Sequence, residues 1–160
     1  MPEYPKSEIE KLAWKQALKQ ACLHIIFERI ANIEQAMLEA RESANSEEKS
    51  SAGDKYETSR AMGHLAQEMQ SKQLEDARQE LELINRLSSD KLSNEATTGS
   101  VVICHDFIFY ISLGLGHTHV GEQKVMFLSP KAPIASLLFQ KKAGESFNFN
   151  SKQIQILDVF

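Results

Sequence analysis

Two long runs of helix-forming residues, 8–42 and 55–87, constrain this chain more than any other feature. The first run has neither Gly nor Pro, and the second has Gly63 alone, so both favour long helices. Apolar residues recur in both runs at steps of three and four, which places them on one face of each helix. Ser7 and Glu10 form a capping-box pattern that predicts where the first helix begins.

The polar segment 43–60 separates the two runs and marks the point where the chain is expected to reverse direction. In an antiparallel hairpin, the apolar residues of the two helices should pair at a nearly constant sum of residue numbers, here 98 to 100. The pairs that meet this condition are Met37–Met62, Ile33–Leu65, Ile30–Met69, Ile26–Leu74, Leu23–Ala77, Leu18–Leu81, Trp14–Ile84 and Leu12–Leu87. The sequence therefore predicts an antiparallel coiled-coil hairpin, with Met37, Met62 and Met69 in its core.

The apolar pattern changes after residue 90. Residues 91–98 are rich in Ser, Asn and Thr, which is typical of a linker. Residues 99–160 contain short β-branched and aromatic segments between turn-forming residues, which indicates a small antiparallel sheet. Those segments are VVIC, FIFYISL, KVMFL, SFNF and IQILDVF. The predicted fold is α+β, with a helical hairpin over 1–90 and a sheet domain over 99–160.

One short helix is predicted within the sheet domain. Ser129 is suited to cap it and Pro130 to occupy its first position. Ile134, Leu137 and Leu138 would supply its apolar stripe.

Charge and composition exclude several classes of protein. The net charge is −4, and residues 1–98 hold 18 acids against 13 bases, so the basic surface typical of phosphate-binding proteins is missing. A protein partner is favoured over direct binding to nucleic acid. No apolar run long enough for a membrane span or a signal peptide occurs, so a cytoplasmic location is expected. Cys22 and Cys104 fall in a predicted helix and strand, where buried, reduced thiols are expected.

Asp54 and Glu57 are the first candidates for chemistry. Their spacing places both carboxylates on one face at the start of the second helix, where they could bind a hard cation such as Mg²⁺. The same spacing also fits a capping box, in which both acids stabilise the positive end of the helix. Glu42, Glu47 and Glu48 add acids near the same connection. The two roles are compatible.

Other patterns give weaker indications. His117 and His119 would point to one side of a strand and could bind a transition metal, but a surface turn is the simpler interpretation. The Gly114-Leu115-Gly116 segment has no following Lys and Ser or Thr, so it is a poor phosphate loop. No Ser-His-Asp or Cys-His arrangement indicates an independent active site.

Residues 128–146, LSPKAPIASLLFQKKAGES, carry a family resemblance. Without a gap, they resemble the Ser-Pro, Leu-Leu, Lys-Lys and Gly-acid pattern of the bacterial Gre transcript-cleavage factors, although Gln140 stands where a Gly is common. Residues 53–57, GDKYE, resemble the family's Gly-Asp-x-x-Glu motif, and 99–102, GSVV, resemble the entry to its C-terminal domain. The layout of helical hairpin followed by sheet domain is similar as well.

The resemblance implies a fold and a function. The C-terminal domain would have an FKBP-like fold and dock at the secondary channel of RNA polymerase, with Ser129 and Pro130 in the docking region. The hairpin would reach the polymerase active centre, where Asp54 and Glu57 help hold a Mg²⁺ ion shared with the polymerase. The chain would then be a monomeric elongation factor that stimulates the polymerase's own cleavage of backtracked RNA. It would have no cofactor of its own and would meet nucleic acid only through the elongation complex.

Some positions differ from the family. Thr58 and Ala61 stand where Asn and Tyr are usual, and a gapless match from Ala40 would instead place Asn45 and Glu48 at the acidic positions. Three alternatives therefore accompany the cleavage factor. They are a non-cleaving regulator of the same channel, an FKBP-like isomerase or chaperone on a coiled-coil handle, and a coiled-coil adaptor.

Overall fold

The fold of this chain, taken from a computed structural model that describes residues 3–47 and 54–160, is α+β. A long helical region precedes a six-stranded mixed sheet and a short helix, which confirms the predicted class. The helices are α1 (Glu8–Glu47), α2 (Asp54–Arg86) and α3 (Pro133–Leu138). The strands are β1 (Val101–Cys104), β2 (Ile108–Ile111), β3 (Gly116–Val120), β4 (Gln123–Leu128), β5 (Ser146–Phe149) and β6 (Lys152–Val159).

The chain divides into two compact units. The sheet unit comprises Met1–Leu23 and Leu83–Phe160, and the two-helix unit comprises His24–Glu82. None of the helices within the described ranges combines the length and the apolar character that a membrane crossing requires.

The predicted capping box is present at the start of α1. The Glu10 N–H donates to Ser7 Oγ at 3.3 Å, and the Ser7 N–H donates to Glu10 Oε2 at 3.1 Å. The Lys6 N–H donates to the same carboxylate oxygen at 3.2 Å. Hydrogen bonds from Ser7, followed by the one from Lys6, lower the pKa of Glu10. The Glu10 carboxylate is thus held in its charged form at the positive end of α1.

Two cross-helix ion pairs fix the direction of packing in the two-helix unit. Arg29 Nη1 lies 2.6 Å from Glu80 Oε2, and Arg78 Nη2 lies 3.3 Å from Glu34 Oε1. The partner number on α2 falls as the number on α1 rises, so the two helices run antiparallel in this unit. Ile26 is buried here, as the predicted pairing requires.

The predicted pairing is wrong for the first half of α2. Met62, Leu65 and Met69 were expected in the helix interface, but they are 67%, 58% and 58% exposed. The less exposed residues of this helix within the two-helix unit are Gln67, Gln70, Leu74, Ala77, Glu80 and Leu81. These less exposed residues follow one another at steps of three and four, so they lie on one face of α2. Met69 is five residues before Leu74, so Met62, Leu65 and Met69 lie on a different face from Leu74. Along this part of α2, the position of a residue around the helix therefore decides its burial more than its apolar character does.

The sheet has the strand order β3-β4-β2-β1-β6-β5. Every named pairing is antiparallel except the one between β2 and β4, which run parallel with Phe109 opposite Met126. The prediction of a wholly antiparallel sheet is therefore wrong. The strand β3 was not among the predicted apolar segments, and its His117 and His119 were assigned to a surface turn as the simpler interpretation. After β2 the chain forms β3 at the edge of the sheet and then reverses to form β4, which lies between β3 and β2. Because β4 is antiparallel to β3, it runs in the same direction as β2.

Both faces of the central strands are covered. All residues of β1 and β2 are buried, which explains why their sequences are apolar without alternation. On one face, α1 contributes Trp14, whose ring centroid lies 6.2 Å from that of Phe160, and Cys22, whose Sγ lies 3.6 Å from Ser112 Oγ. On the other face, α3 and Ala96 join the core around Phe109.

Hydrogen bonds to backbone carbonyl groups hold the segment that follows α2 in place. Lys15 is 4% exposed, and its Nζ donates to the Lys91 carbonyl at 2.8 Å. Lys19 Nζ donates to the Leu87 carbonyl at 2.6 Å, where its charge suits the C-terminal end of α2. The Ala96 N–H donates to the Lys141 carbonyl at 2.8 Å. The segment predicted as a linker is thus held against the rest of the sheet unit.

Candidate functional site

The first turn of α2 carries the two predicted catalytic residues. Asp54 is the first residue of the helix, and Glu57 lies three residues later with an exposed side chain. Their spacing places both residues on one side of the first turn. The Asp54 side chain and the connection 48–53, which includes Glu48, lie outside the described residues, so capping by Asp54 stays a prediction.

Acidic residues also occur on the last turns of α1. Glu39 and Glu42 are exposed and line a shallow groove together with Ser43 and Ser46. Asn45, the alternative position for the first acid, is exposed within the same turns. Negative charge therefore lies on both helices near the connection between them.

A cavity of about 560 Å³ lies between the two helices close to these acids. Its wall is formed by small residues, among them Gly63, where an added Cβ atom would have no heavy atom within 4 Å. Arg41, Arg60 and His64 also line it. Neither arginine forms an ion pair within the described ranges. Positive charge is thus available near the carboxylates, as expected from the bases, Arg60 among them, that alternate with the acids in the sequence.

The two histidines of β3 make a poor metal site. His117 and His119 are both exposed on the outermost strand, and their partners on β4 are Met126 and Lys124. The Lys124 ammonium beside His119 disfavours a cation there. Within the part of the chain that the structure describes, no three His, Cys, Asp or Glu residues come together in a group that could hold a metal ion.

Both cysteines are buried and unpaired, as predicted. Burial raises the pKa of the Cys22 thiol to about 11, opposed by its hydrogen bond with Ser112. Burial also raises the pKa of Cys104 to about 12. Both groups are therefore thiols at neutral pH, which is unfavourable for nucleophilic catalysis.

The predicted docking region lies between β4 and α3, and its local structure differs from the prediction. The helix α3 begins at Pro133 rather than Pro130, and its N-cap is Ala132, which makes no side-chain cap bond. Ser129 instead closes the preceding turn, because its Oγ accepts the Lys131 N–H at 3.2 Å. Ser129 and Pro130 are half-buried, and Leu137 on α3 is 42% exposed rather than part of the core.

Comparison of the chain with protein-family models, with curated proteins and with solved structures finds no match.

These residues offer two kinds of chemistry. An exposed carboxylate at a helix start can ligate a hard cation or pair with a basic partner. The turn around Ser129 and the exposed Leu137 offer a contact surface for a protein. The sequence missed Leu137 as a surface residue, because it was expected in the apolar stripe of the short helix.

Proposed function

We propose that this chain is a Gre-like elongation factor that binds RNA polymerase in its secondary channel. An antiparallel coiled-coil hairpin would carry Asp54 and Glu57 to the polymerase active centre, and an FKBP-like domain would dock at the channel rim. The observation that carries the proposal is the start of α2 at Asp54, which puts both acids in the first turn after the connection, with Glu57 exposed. The resemblance of residues 128–146 to the family's docking pattern supports it.

Carboxylate oxygens are ligands of the kind that Mg²⁺ prefers, and the first turn of α2 supplies two carboxylates, Asp54 and Glu57. A bound Mg²⁺ ion lowers the pKa of the water that it holds and so provides a nucleophile at neutral pH. In this proposal Asp54 and Glu57 help to bind that ion and orient it, while the polymerase supplies the remaining ligands and the RNA. The chain itself would then need no enclosed active site.

A second candidate is a regulator that occupies the channel without stimulating cleavage. Arg60 lies three residues after Glu57 on α2, which places its guanidinium on the same side of the helix. A guanidinium near a carboxylate competes with a metal ion for that carboxylate. The presence of Thr58 and Ala61 at positions where the family has Asn and Tyr favours the same alternative.

A cleavage assay on backtracked elongation complexes of the cognate polymerase distinguishes the two candidates. We expect the wild-type chain to shorten the RNA, and Asp54→Asn or Glu57→Gln to reduce the cleavage rate about tenfold or more, because each removes a metal-binding oxygen. Glu68→Gln is the matched control, since Glu68 is exposed on the same helix away from its first turn. Polymerase binding is measured in parallel.

Each result has a distinct meaning. Binding without shortened RNA would replace the cleavage factor by the non-cleaving regulator, and Arg60→Ala should then be tested for restored cleavage. Cleavage that survives both substitutions would exclude Asp54 and Glu57 as metal ligands. Failure to bind the polymerase at all would reject both candidates.

The docking region gives an independent prediction. Leu137→Glu should weaken polymerase binding about tenfold, because this exposed leucine lies on α3, the helix that follows the Ser129–Pro130 turn, and would be buried on docking. Ser136→Glu introduces the same charge at the adjacent exposed residue and serves as the control. Affinity is measured by titration of labelled protein with polymerase. Equal affinities for Leu137→Glu and the wild type would move the docking surface away from α3.

A further inference from the structure

A groove of about 920 Å³ on the sheet unit belongs to none of the sites described above. It lies between the extended N-terminal segment, the first turns of α1 and the turn from β3 to β4. Tyr4, Pro5, Trp14 and Val120 form its apolar surface, and all four are half-buried. The Trp14 ring contacts Phe160, so its position is set by the core of the unit. A fixed aromatic side chain of this kind loses little conformational entropy on binding.

The charged side chains of the groove are mostly acidic. Glu3, Glu10 and Glu122 line it, and Lys6 is the one basic residue in its lining. Glu3 and Glu122 are exposed and form no ion pair within residues 3–47 and 54–160. Hydrogen bonds from the backbone N–H groups of Ser7 and Lys6 to its carboxylate keep Glu10 charged. The groove therefore combines aromatic rings with an excess of negative charge.

An internal contact indicates what these rings can bind. The Lys6 ammonium lies over the Tyr4 ring, with its Nζ 5.8 Å from the ring centroid. This is a cation–π geometry, and tryptophan is the side chain that binds cations best in this way. Trp14 offers such a ring in the same groove, with the Glu122 and Glu3 carboxylates available to pair with a second positive charge.

We propose that this groove binds a basic, proline-containing peptide segment of a partner protein. One lysine or arginine of the peptide stacks on Trp14, a neighbouring basic residue pairs with Glu122 or Glu3, and proline rings pack against the apolar surface around Tyr4 and Pro5. Charge complementarity favours this occupant over an acidic peptide or a nucleic acid. The inference goes beyond the proposed function, because it applies whether or not the chain binds RNA polymerase.

Trp14 provides a direct readout, because it is the single tryptophan of the chain. The probe is the synthetic peptide acetyl-Lys-Pro-Arg-Lys-Pro-Arg-amide, and the comparison peptide replaces every Lys and Arg by Glu. We expect the basic peptide to change Trp14 emission saturably, with a Kd between about 1 μM and 1 mM. The acidic peptide should leave the emission unchanged. Raising NaCl from about 0.05 M to about 0.5 M should weaken binding of the basic peptide.

Two variants locate the site. Glu122→Lys should lower the affinity for the basic peptide at least about fivefold, because it reverses a charge in the groove. Glu68→Lys changes the net charge by the same amount on α2 and should leave the affinity unchanged. Tyr4→Ala should also weaken it, with circular dichroism showing an intact fold. Equal responses to the two peptides, no response to the basic one, or indifference to Glu122→Lys would each overturn the proposal. A response to a single-stranded RNA oligonucleotide but not to the basic peptide would do the same.

Discussion

Replacing Phe109 by alanine should lower the free energy of unfolding of this chain by about 3–5 kcal/mol. Phe109 is fully buried at the centre of β2, between β1 and β4. Its ring stacks on Phe107 at a centroid distance of 5.7 Å and meets the edge of Phe147 at 6.3 Å. Truncation removes both aromatic contacts and leaves a cavity in a tightly packed core.

Phe107→Ala is the matched control for this prediction. Phe107 has the same side chain and is a ring neighbour of Phe109, but it is half-buried. We expect it to cost about half as much, because less apolar surface leaves water when it folds. Urea denaturation followed by circular dichroism measures both values. Equal costs for the two substitutions would mean that Phe109 is not at the centre of the core.

Alkaline pH should destabilise the sheet unit more strongly than any single surface substitution. Burial raises the pKa of Cys22 from 9.0 to about 11 and that of Cys104 from 9.0 to about 12. Burial, followed by the charge of Cys22, also raises the pKa of Tyr110 above its ordinary value of 10.0. In the unfolded chain these groups lose their protons at lower pH than in the folded chain. Their ionisation therefore favours unfolding.

The direction of the pH dependence follows from proton linkage. Above about pH 9 the folded state binds more protons than the unfolded state, so stability is complete below that pH and falls as pH rises toward 11 and 12. Each pKa unit by which burial raises a thiol corresponds to about 1.4 kcal/mol, so ionisation of Cys22 and Cys104 is expected to cost the folded state several kcal/mol. Lys15 acts in the opposite direction, because burial lowers its pKa and favours folding as pH rises toward 10.5. One lysine does not offset three buried acids.

Urea denaturation at intervals from pH 7 to pH 11 tests this linkage. The free energy of unfolding of the wild-type chain should fall progressively above about pH 9, whereas that of a variant with Cys22→Ala, Cys104→Ala and Tyr110→Phe should fall much less. Both thiols of the native protein should also react slowly with dithiobis-nitrobenzoate at pH 8 and rapidly in urea. An identical pH profile for wild type and variant would show that these groups are accessible in the folded state.

The sequence predicted the helices well, because their signals are local. The predicted helices 8–42 and 55–87 correspond to α1 and α2, and every helix end lies within five residues of its predicted position. The Ser7–Glu10 capping box marks the start of α1, as predicted. Five of the six strands contain predicted apolar segments. Those of β1 and β2 are apolar without alternation because both faces of the sheet are covered there. The candidate acids followed from the same local signals, because Asp54 and Glu57 depend on where α2 begins.

Other features could not be predicted, because they depend on residues far apart in the chain. The strand β3 has no apolar alternation of its own, and its pairing with β4 defines it as a strand. The parallel arrangement of β4 with β2 depends on the order in which strands join the sheet. The groove at Trp14 likewise requires the β3–β4 turn to lie beside the start of α1.

The sequence by itself determined the α+β class, the two long helices, their capped start and the acids in the first turn of α2. These follow from backbone propensity and short-range hydrogen bonds, which act within a few residues. Only the tertiary structure decided which apolar residues are buried. Met62 and Met69 are as apolar as Leu74 yet lie exposed, because burial depends on the phase of the whole α2 surface against α1.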